Sequence, residues 1–332
     1  MSGLPLVSVV VVPREGFTPA LACLETLLST TTDIVWRLVY VDGNAPPSIA
    51  KQLRARVRAA GGTLIRANRY LRPTVLRNLG LAEVDTPYVV FLDNDVFVTA
   101  GWLSALVACA AETGSAYVSP IICMGNRPRR VVHVAGGENA LAEDAHGNRR
   151  LVERYDHAHQ LLDDVGPTLR RAQTSMAEFH CILIRRSALD AIGGLDERMS
   201  TAFEHNDLCL ALAGHGGGWL EPAAVVDYLH DPGANRCDTP YHILRWSRGW
   251  LDESLEGFRG KYRLPPNDAC LRSDLASLHG RRRIPFRRVR KRLACLPGGL
   301  GVVAFDALLD MGVEHLLRRV HERPARISRE RW

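Results

Sequence analysis

The stretch that decides the fold is Thr86–Ala100, TPYVVFLDNDVFVTA. Its first half, Tyr88–Leu92, is a continuous apolar run rich in β-forming residues, which is typical of a strand buried on both faces of a parallel sheet. The run ends at Asp93-Asn94-Asp95. Two carboxylates at the end of a buried strand are costly unless a cation lies nearby, and open α/β sheets bind ligands beyond the carboxyl ends of their strands. A metal-and-phosphate site is therefore favoured over an ordinary Asp-rich turn.

The segments before this stretch alternate between strands and helices. Apolar runs predict strands at Leu6–Val12, Ile34–Val41 and Thr63–Ala67, each followed by a segment with helical spacing. Alternation of this kind implies right-handed crossovers and a largely parallel sheet. The first strand is not followed by G-x-G-x-x-G, so the usual dinucleotide fingerprint is missing. We predict an α/β fold with a Rossmann-like, mostly parallel sheet flanked by helices.

Beyond this stretch the pattern is less regular. Residues 124–172 show little periodicity, which inside a compact domain indicates a functional or partly disordered segment. The remaining predicted elements are a helix at Gly101–Thr113, strands at Ala116–Ile122, Met176–Ile184 and Trp219–Tyr228, and helices at Phe203–Leu212 and Tyr241–Phe258.

The composition is that of an ordinary globular protein. The chain has 332 residues, 46% hydrophobic and 23% charged, enough to bury one large domain or two modest ones. Its eight cysteines form no C-x-x-C, which favours buried thiols in a reducing compartment over a zinc site or a disulfide framework. The valine-rich N-terminus lacks the basic region of a signal peptide. We therefore expect a cytoplasmic protein.

Several short motifs follow one another along roughly residues 6–231. After the valine-rich first strand, the motifs are V-D-G at Val41–Gly43, R-N-x-G at Arg77–Gly80, F-L-D-N-D at Phe91–Asp95, I-R-R-x-A-L-x-x-I-G-G-L-D-E at Ile184–Glu197, E-H-x-D-L at Glu204–Leu208 and a later histidine, His230. Taken in order, they resemble the motifs of the family 2 glycosyltransferases of the GT-A fold. The resemblance implies a GT-A-type sheet. It also implies transfer of a sugar from a nucleotide diphosphate-sugar to a hydroxyl acceptor, with inversion, in glycan, polysaccharide or glycoconjugate synthesis.

The resemblance implies a divalent metal at the aspartates. Asp95 would be the direct metal ligand, Asp93 would hold the ribose or a metal-bound water, and His230 would complete the metal shell. Carboxylates and phosphates suit Mg²⁺ or Mn²⁺, which would stabilise the diphosphate leaving group. The histidine slightly favours Mn²⁺.

The donor site implied by the resemblance lies at the ends of the first strands. Asp42 would accept a hydrogen bond from the nucleobase, and Pro13 and Arg14 would line the base and ribose pocket. Arg77 would reach the diphosphate, since Arg suits bidentate phosphate contacts, and Asn94 is assigned to the same site. A UDP-sugar is the favoured donor.

The acceptor hydroxyl must lose its proton to a general base. Where the family usually has a pair of acids, this chain has Glu204-His205, and either side chain is a candidate. Glu204 and Asp207 are three residues apart and share a helix face, which favours Glu204.

Two other classes of function compete with a transferase. A sugar nucleotidyltransferase would want a glycine-rich, basic phosphate loop directly after the first strand, but Pro13–Thr18 has one glycine and one arginine. A non-catalytic nucleotide- or sugar-binding protein would need neither Glu204 nor an intact D-x-D. Both readily fit an α/β sheet, because the fold alone does not fix the chemistry.

The predicted domain boundary lies near residue 265. Residues 1–265 form the glycosyltransferase domain, with a nucleotide-binding half at about 1–122 and an acceptor half at about 123–265, and residues 266–332 form a basic, mainly helical extension. Its cluster Arg281–Arg292 holds eight cations, more than the net charge of +6, so no nucleic-acid partner is expected for the rest of the chain. The cluster is a solvated face, a grip on an acidic acceptor or a peripheral contact with an anionic membrane.

Overall fold

The computed structural model describes residues 6–125, 129–145, 147–229, 235–295 and 300–332. The strands, in chain order, are β1 (Val7–Val12), β2 (Trp36–Asp42), β3 (Thr63–Ala67), β4 (Tyr88–Asp93), β5 (Val96–Val98), β6 (Tyr117–Met124), β7 (Val131–Val134), β8 (Gly137–Glu143), β9 (Arg149–Tyr155), β10 (Ala172–Thr174), β11 (Cys181–Arg185), β12 (Gly218–Tyr228) and β13 (Ile327–Arg331). The helices are α1 (Ala20–Thr30), α2 (Pro47–Ala59), α3 (Pro73–Leu81), α4 (Trp102–Thr113), α5 (Leu162–Val165), α6 (Arg186–Ala191), α7 (Glu204–Leu212), α8 (Thr239–Arg245), α9 (Arg248–Tyr262), α10 (Ala269–Arg281), α11 (Arg287–Leu293), α12 (Leu300–Ala307) and α13 (Glu314–His321).

One large sheet organises the molecule. Its strand order is β10-β12-β6-β11-β4-β1-β2-β3-β13, with β5 and β7 paired off this path to β12 and β6. Strands β4, β1, β2 and β3 are mutually parallel, as are β6 and β12. Strand β11 runs antiparallel between β4 and β6. The prediction of an α/β fold on a mostly parallel sheet flanked by helices is confirmed.

Strand β1 shows why both faces of the sheet are covered. Side chains alternate along a strand, so Val9 and Val11 pack into the core on one face while Val10 and Val12 pack into the core on the other. The first core receives α1, α2 and α4, and the second receives α3, α6 and α7. All six residues of β1 are buried, which explains its unbroken valine-rich sequence.

The described residues within 124–172 form β7, the β8–β9 hairpin and α5. Two predicted elements were wrong in extent. Only the last part of the predicted strand Met176–Ile184 belongs to a strand, β11. The predicted helix Tyr241–Phe258 is two helices, α8 and α9. The break falls at Ser247, whose hydroxyl accepts a hydrogen bond from the Trp250 backbone N–H and caps α9.

Segments beyond residue 265 contact the rest of the fold. Strand β13 pairs antiparallel with β3 and extends the sheet at its edge, and α10 packs against β9. A π-helical stretch, Leu308–Val313, joins α12 to α13. The boundary between a catalytic domain and an extension stays a prediction. In the part of the chain that the structure describes, no helix is both long enough and apolar enough to cross a bilayer.

Candidate functional site

A cavity of about 380 Å³ lies beyond the carboxyl end of β4. It is walled by β9, the start of α7, the end of α8 and α10. The predicted site residues that line it are Arg14, Arg77, Asp93, Glu204 and His205. The sequence motifs therefore converge on one space, at the edge of the sheet where α/β folds bind ligands.

Asp93 ends β4 between two arginines and a histidine. Its Oδ1 accepts a hydrogen bond from Arg77 Nη2 at 3.0 Å, and its Oδ2 lies 3.2 Å from His180 Nδ1 and 3.8 Å from Arg14 Nε. Burial would raise the pKa of Asp93, but Arg77, the His180 contact and Arg14 lower it below its ordinary value. Asp93 is therefore a buried carboxylate held by three partners.

Asp95 lies next to this group and is less well satisfied. Its Oδ2 accepts a hydrogen bond from Arg14 Nη1 at 3.0 Å. Its Oδ1 is buried and has no hydrogen-bond partner among the described residues. Burial, together with the negative charges of Asp93 and Glu15, outweighs Arg14 and raises the pKa of Asp95 to about 7. A bound cation would stabilise the charged form of such a carboxylate.

Asn94 stabilises the loop that follows β1. Its Oδ1 accepts a hydrogen bond from the Arg14 backbone N–H at 3.2 Å, and its Nδ2 donates to the Gly16 carbonyl at 2.8 Å. The Pro13 carbonyl accepts a hydrogen bond from the Tyr241 hydroxyl at 3.3 Å. Pro13 and Asn94 thus shape the loop that carries Arg14, and among the described residues neither lines the cavity.

Arg77, on α3, is nearly completely buried. Its guanidinium stacks 4.0 Å from the Phe179 ring centre, and Nη1 lies 3.7 Å from Glu204 Oε1. Its Nε and Nη1 make no hydrogen bond within the described ranges. A buried guanidinium with unused donors beside a cavity is suited to an anionic ligand.

The predicted residue Asp42 lies away from the cavity. Asp42 is buried at the end of β2, where it pairs with Arg66 and accepts a hydrogen bond from the Ala45 backbone N–H at 2.6 Å. It is not part of the cavity wall formed by described residues. His230, the predicted third metal ligand, lies outside the described residues.

The two base candidates have different surroundings. Glu204 Oε1 lies 3.4 Å from Arg245 Nη2 and faces Arg77. His205 Nε2 lies 3.2 Å from Glu153 Oε1. Burial alone would lower the pKa of His205, but the hydrogen bond with Glu153 and the nearby negative charges raise it to about 9. At neutral pH His205 is an imidazolium and lacks the free lone pair that a base needs.

The sequence analysis missed further polar residues of the cavity. They include His133, Glu153, Tyr155, Glu178, His180 and Arg245. One signal pointed to them: Glu178 and His180 are two residues apart within the apolar run MAEFHCILI, and His133 stands between valines. Isolated polar residues inside apolar runs cost free energy unless they are paired. Burial and the charge of Arg14 lower the pKa of His180 to about 4, so this side chain is neutral.

Comparisons of the sequence with known proteins give a family model and two relatives. The family model described as Glycosyl transferase family 2 matches residues 8–193. Pre-mycofactocin glycosyltransferase of Mycobacterium tuberculosis is 33% identical over 162 residues, 48% of this chain and 30% of that protein. The uncharacterized protein y4gI of Sinorhizobium fredii is 28% identical over 258 residues, 75% of this chain and 27% of that protein. The chain spans less than a third of the length of these relatives.

A solved structure shares the fold. The crystal structure of GalNAc-T7 with UDP, GalNAc and Mn²⁺ matches with a TM-score of 0.54 and 16% identity, covering 90% of this chain and 59% of that chain.

Proposed function

The chain belongs to glycosyl transferase family 2, and we propose that it transfers a sugar from a nucleotide diphosphate-sugar to a hydroxyl acceptor. One observation carries this proposal: Arg77, Asp93 and Glu204 line the same cavity, and Asp95 forms an ion pair with Arg14, which also lines it. Such a transfer requires an arginine that binds the diphosphate, aspartates that bind a metal cation and a carboxylate that acts as the base. Inversion at the anomeric carbon is part of the proposal.

A divalent metal fits the aspartates. The buried, unpartnered Oδ1 of Asp95 is a ready oxygen ligand, and Asp93 and His230 are the proposed further ligands. Mn²⁺ or Mg²⁺ bound there would neutralise charge on the diphosphate leaving group. Mn²⁺ and a UDP-sugar are favoured because the crystallised GalNAc-T7 contains UDP and Mn²⁺.

Other residues of this chain would bind the diphosphate and the nucleoside. Arg77 presents unused donors toward the cavity and would bind the diphosphate. Arg14, now on Asp95, would turn to the same anion, with Asn94 fixing its loop. Asp42 and Pro13 would hold the nucleoside at the ends of β2 and β1.

Glu204 is the proposed general base. It lies on the cavity wall at the first residue of α7, after Phe203, whose backbone φ of 61° lies in the left-handed region. The neighbouring His205 is charged at neutral pH, so it would instead orient the acceptor or stabilise negative charge.

A peripheral contact with an anionic membrane is also proposed. Within the basic cluster, Arg281 pairs with Glu15, Arg282 with Asp310, and Arg290 with Asp306. These three cations therefore form ion pairs within the folded chain. Four others are exposed: Arg287, Arg288, Lys291 and Arg292. Helix α12, which packs against α11, and the π-helical stretch after it expose large apolar side chains, among them Leu300 and Met311, which are 72% and 78% exposed. Cations beside exposed apolar groups suit anionic lipid.

Thermal-shift measurements test the donor site. UDP, GDP, dTDP and CDP are each added with Mn²⁺, with Mg²⁺ or with chelator to the wild type, to Asp95→Ala and to the matched surface control Asp85→Ala, whose carboxylate is 65% exposed. A nucleotide at a hundred times its dissociation constant adds about 2.7 kcal/mol.

We expect one nucleotide, UDP, to raise the midpoint only with metal, in the wild type and the control but not in Asp95→Ala. Stabilisation that is independent of metal would contradict the metal site. Metal-dependent binding without release of nucleotide from any nucleotide-sugar would favour the non-catalytic binding protein.

A further inference from the structure

Three potential metal ligands meet on the cavity wall, away from Asp95. His133 Nε2 lies 3.1 Å from Glu178 Oε2, and His180 Nε2 lies 3.2 Å from the same oxygen. All three ligand atoms lie within 4.8 Å of one another. The residues come from β7 and from the segment before β11, so the fold brings them together across 47 positions of sequence.

The spacing of these atoms matches a metal shell. Nitrogen and oxygen ligands at about 2.0–2.1 Å from a tetrahedral ion are about 3.3 Å apart from one another. The two measured separations, 3.1 and 3.2 Å, are close to this value. The side chains would therefore need little movement to bind one ion.

The partners of the three residues also suit a bound cation. His180 has a carboxylate oxygen at each ring nitrogen, Asp93 Oδ2 at Nδ1 and Glu178 Oε2 at Nε2, both at 3.2 Å. A neutral imidazole carries one N–H, so only one of these contacts is a hydrogen bond. A cation between Nε2 and Glu178 removes the conflict. Metal-bound histidines commonly donate their other N–H to a carboxylate, here Asp93.

Tyr155 completes this outer arrangement. Its hydroxyl donates to Glu178 Oε1 at 2.9 Å, which leaves Oε2 directed at the two histidines. One oxygen of the carboxylate is thus fixed by a neighbour and the other is free to ligate.

We propose that His133, Glu178 and His180 bind a Zn²⁺-type transition-metal ion through Nε2, Oε2 and Nε2. Two imidazoles and one carboxylate favour Zn²⁺ over Mg²⁺, which takes oxygen ligands. All three residues line the cavity, so the fourth ligand is a water or an oxygen of a bound molecule. The cysteine spacing predicted no zinc site, and this set uses no cysteine. The site is separate from the metal proposed at Asp95.

Metal binding by the purified full chain tests this site. The protein is stripped with chelator, desalted and titrated with Zn²⁺ against a chromophoric chelator, and the absorption of bound Co²⁺ reports the ligand geometry. The ligand variants are His133→Ala and Glu178→Gln. Tyr155→Phe removes the hydroxyl that donates to Glu178 Oε1. Asp95→Ala tests whether the ion binds at the aspartates instead, and the control is His215→Ala, whose imidazole is exposed.

We expect the wild type to bind one Zn²⁺ and to give a four-coordinate Co²⁺ spectrum. His133→Ala and Glu178→Gln should each lose at least tenfold in Zn²⁺ affinity, Tyr155→Phe about tenfold, and the His215→Ala control less than threefold. Far-UV circular dichroism checks that each variant is folded, and Glu178→Gln, which keeps the side-chain volume, decides the outcome if His133→Ala unfolds.

Two results would overturn the inference. Equal Zn²⁺ binding in the wild type and both ligand variants would place the ion on surface groups. Loss of binding in Asp95→Ala alone would place it at the aspartates. Nucleotide binding is measured on the same stripped protein, so failure of this site is distinguishable from failure of the proposed donor site.

Discussion

Replacing Glu204 with glutamine tests which of two adjacent side chains takes the acceptor proton. Glutamine keeps the shape of the side chain beside Arg245 and Arg77, so the wall of the cavity is preserved. It removes the carboxylate and with it the ability to accept a proton. The partner variant, His205→Gln, removes the other candidate. Both are compared with the wild type across pH.

The two candidate bases predict different effects on kcat. A general base contributes about 10²–10⁴-fold to the rate, so Glu204→Gln should lower kcat by that factor while nucleotide binding stays within about threefold. With its pKa raised to about 9, His205 is neutral in about 1% of molecules at pH 7. If His205 were the base, kcat would rise about tenfold per pH unit from pH 7 to 9. With Glu204 as base, this rise is absent.

The assay is the release of nucleotide, with water as the acceptor, from nucleotide-sugars that carry the nucleotide identified by thermal shift. Kcat is measured from pH 6 to 9.5 in the wild type and both variants, and the midpoint shift with nucleotide reports donor binding separately. A Glu204→Gln protein with near-normal turnover, together with a steep alkaline rise that His205→Gln abolishes, would refute the assignment of Glu204.

Three further predictions concern stability and partners. Because the pKa of His205 rises from 6.5 to about 9 on folding, its protonation stabilises the fold below pH 6.5, and this contribution, at most about 3 kcal/mol, is lost as pH rises through 9. Denaturant unfolding gives the free energy of unfolding at pH 6.5 and at pH 9. The difference between the two values should be smaller for His205→Gln than for the wild type, although the partners Glu153, Glu178, Glu204 and Tyr155 remain. An equal difference in both proteins would contradict this prediction. Gly80→Ala should destabilise by about 1–3 kcal/mol, since the added Cβ would lie 2.3 Å from Val10 Cγ1, whereas Gly260→Ala, with open space around it, should not; equal unfolding midpoints would contradict this. The last change replaces three exposed cations with glutamine: Arg288, Lys291 and Arg292. Co-sedimentation with phosphatidylserine vesicles should fall at least tenfold, and a wild type that does not sediment would contradict the membrane contact.

The centre of the fold was predictable because its strands are buried on both faces. Such strands read as unbroken apolar runs, and the predicted strand Thr63–Ala67 has the same bounds as β3. The family resemblance depended on the same region, where the runs end in Asp42 and Asp93 and the helix between them carries Arg77. Local sequence predicted the structure correctly where the sheet determines which residues are neighbours in space.

The rest of the cavity depended on contacts that local sequence does not record. Strands β8 and β9 pair mainly with each other and are only partly buried, so their sequence has no sustained apolar alternation. Strand β13 holds Arg329 and Arg331, whose partner Glu83 lies far away in the chain, and its charged sequence resembles a tail. The pairing of Asn94 with the loop after β1 likewise appears only once the two strand ends are adjacent.

Asp93 is the residue through which the two halves of the cavity act on each other. One of its oxygens binds Arg77, which faces the proposed diphosphate site, and the other binds His180, which belongs to the inferred zinc site. An anion on Arg77 or a metal ion bound by Asp93 would change the charge on this carboxylate, and with it the strength of its hydrogen bond to the Nδ1–H of His180 and the basicity of Nε2. Through Asp93 the proposed donor site and the inferred zinc site would therefore change each other's affinity, by the same factor in both directions.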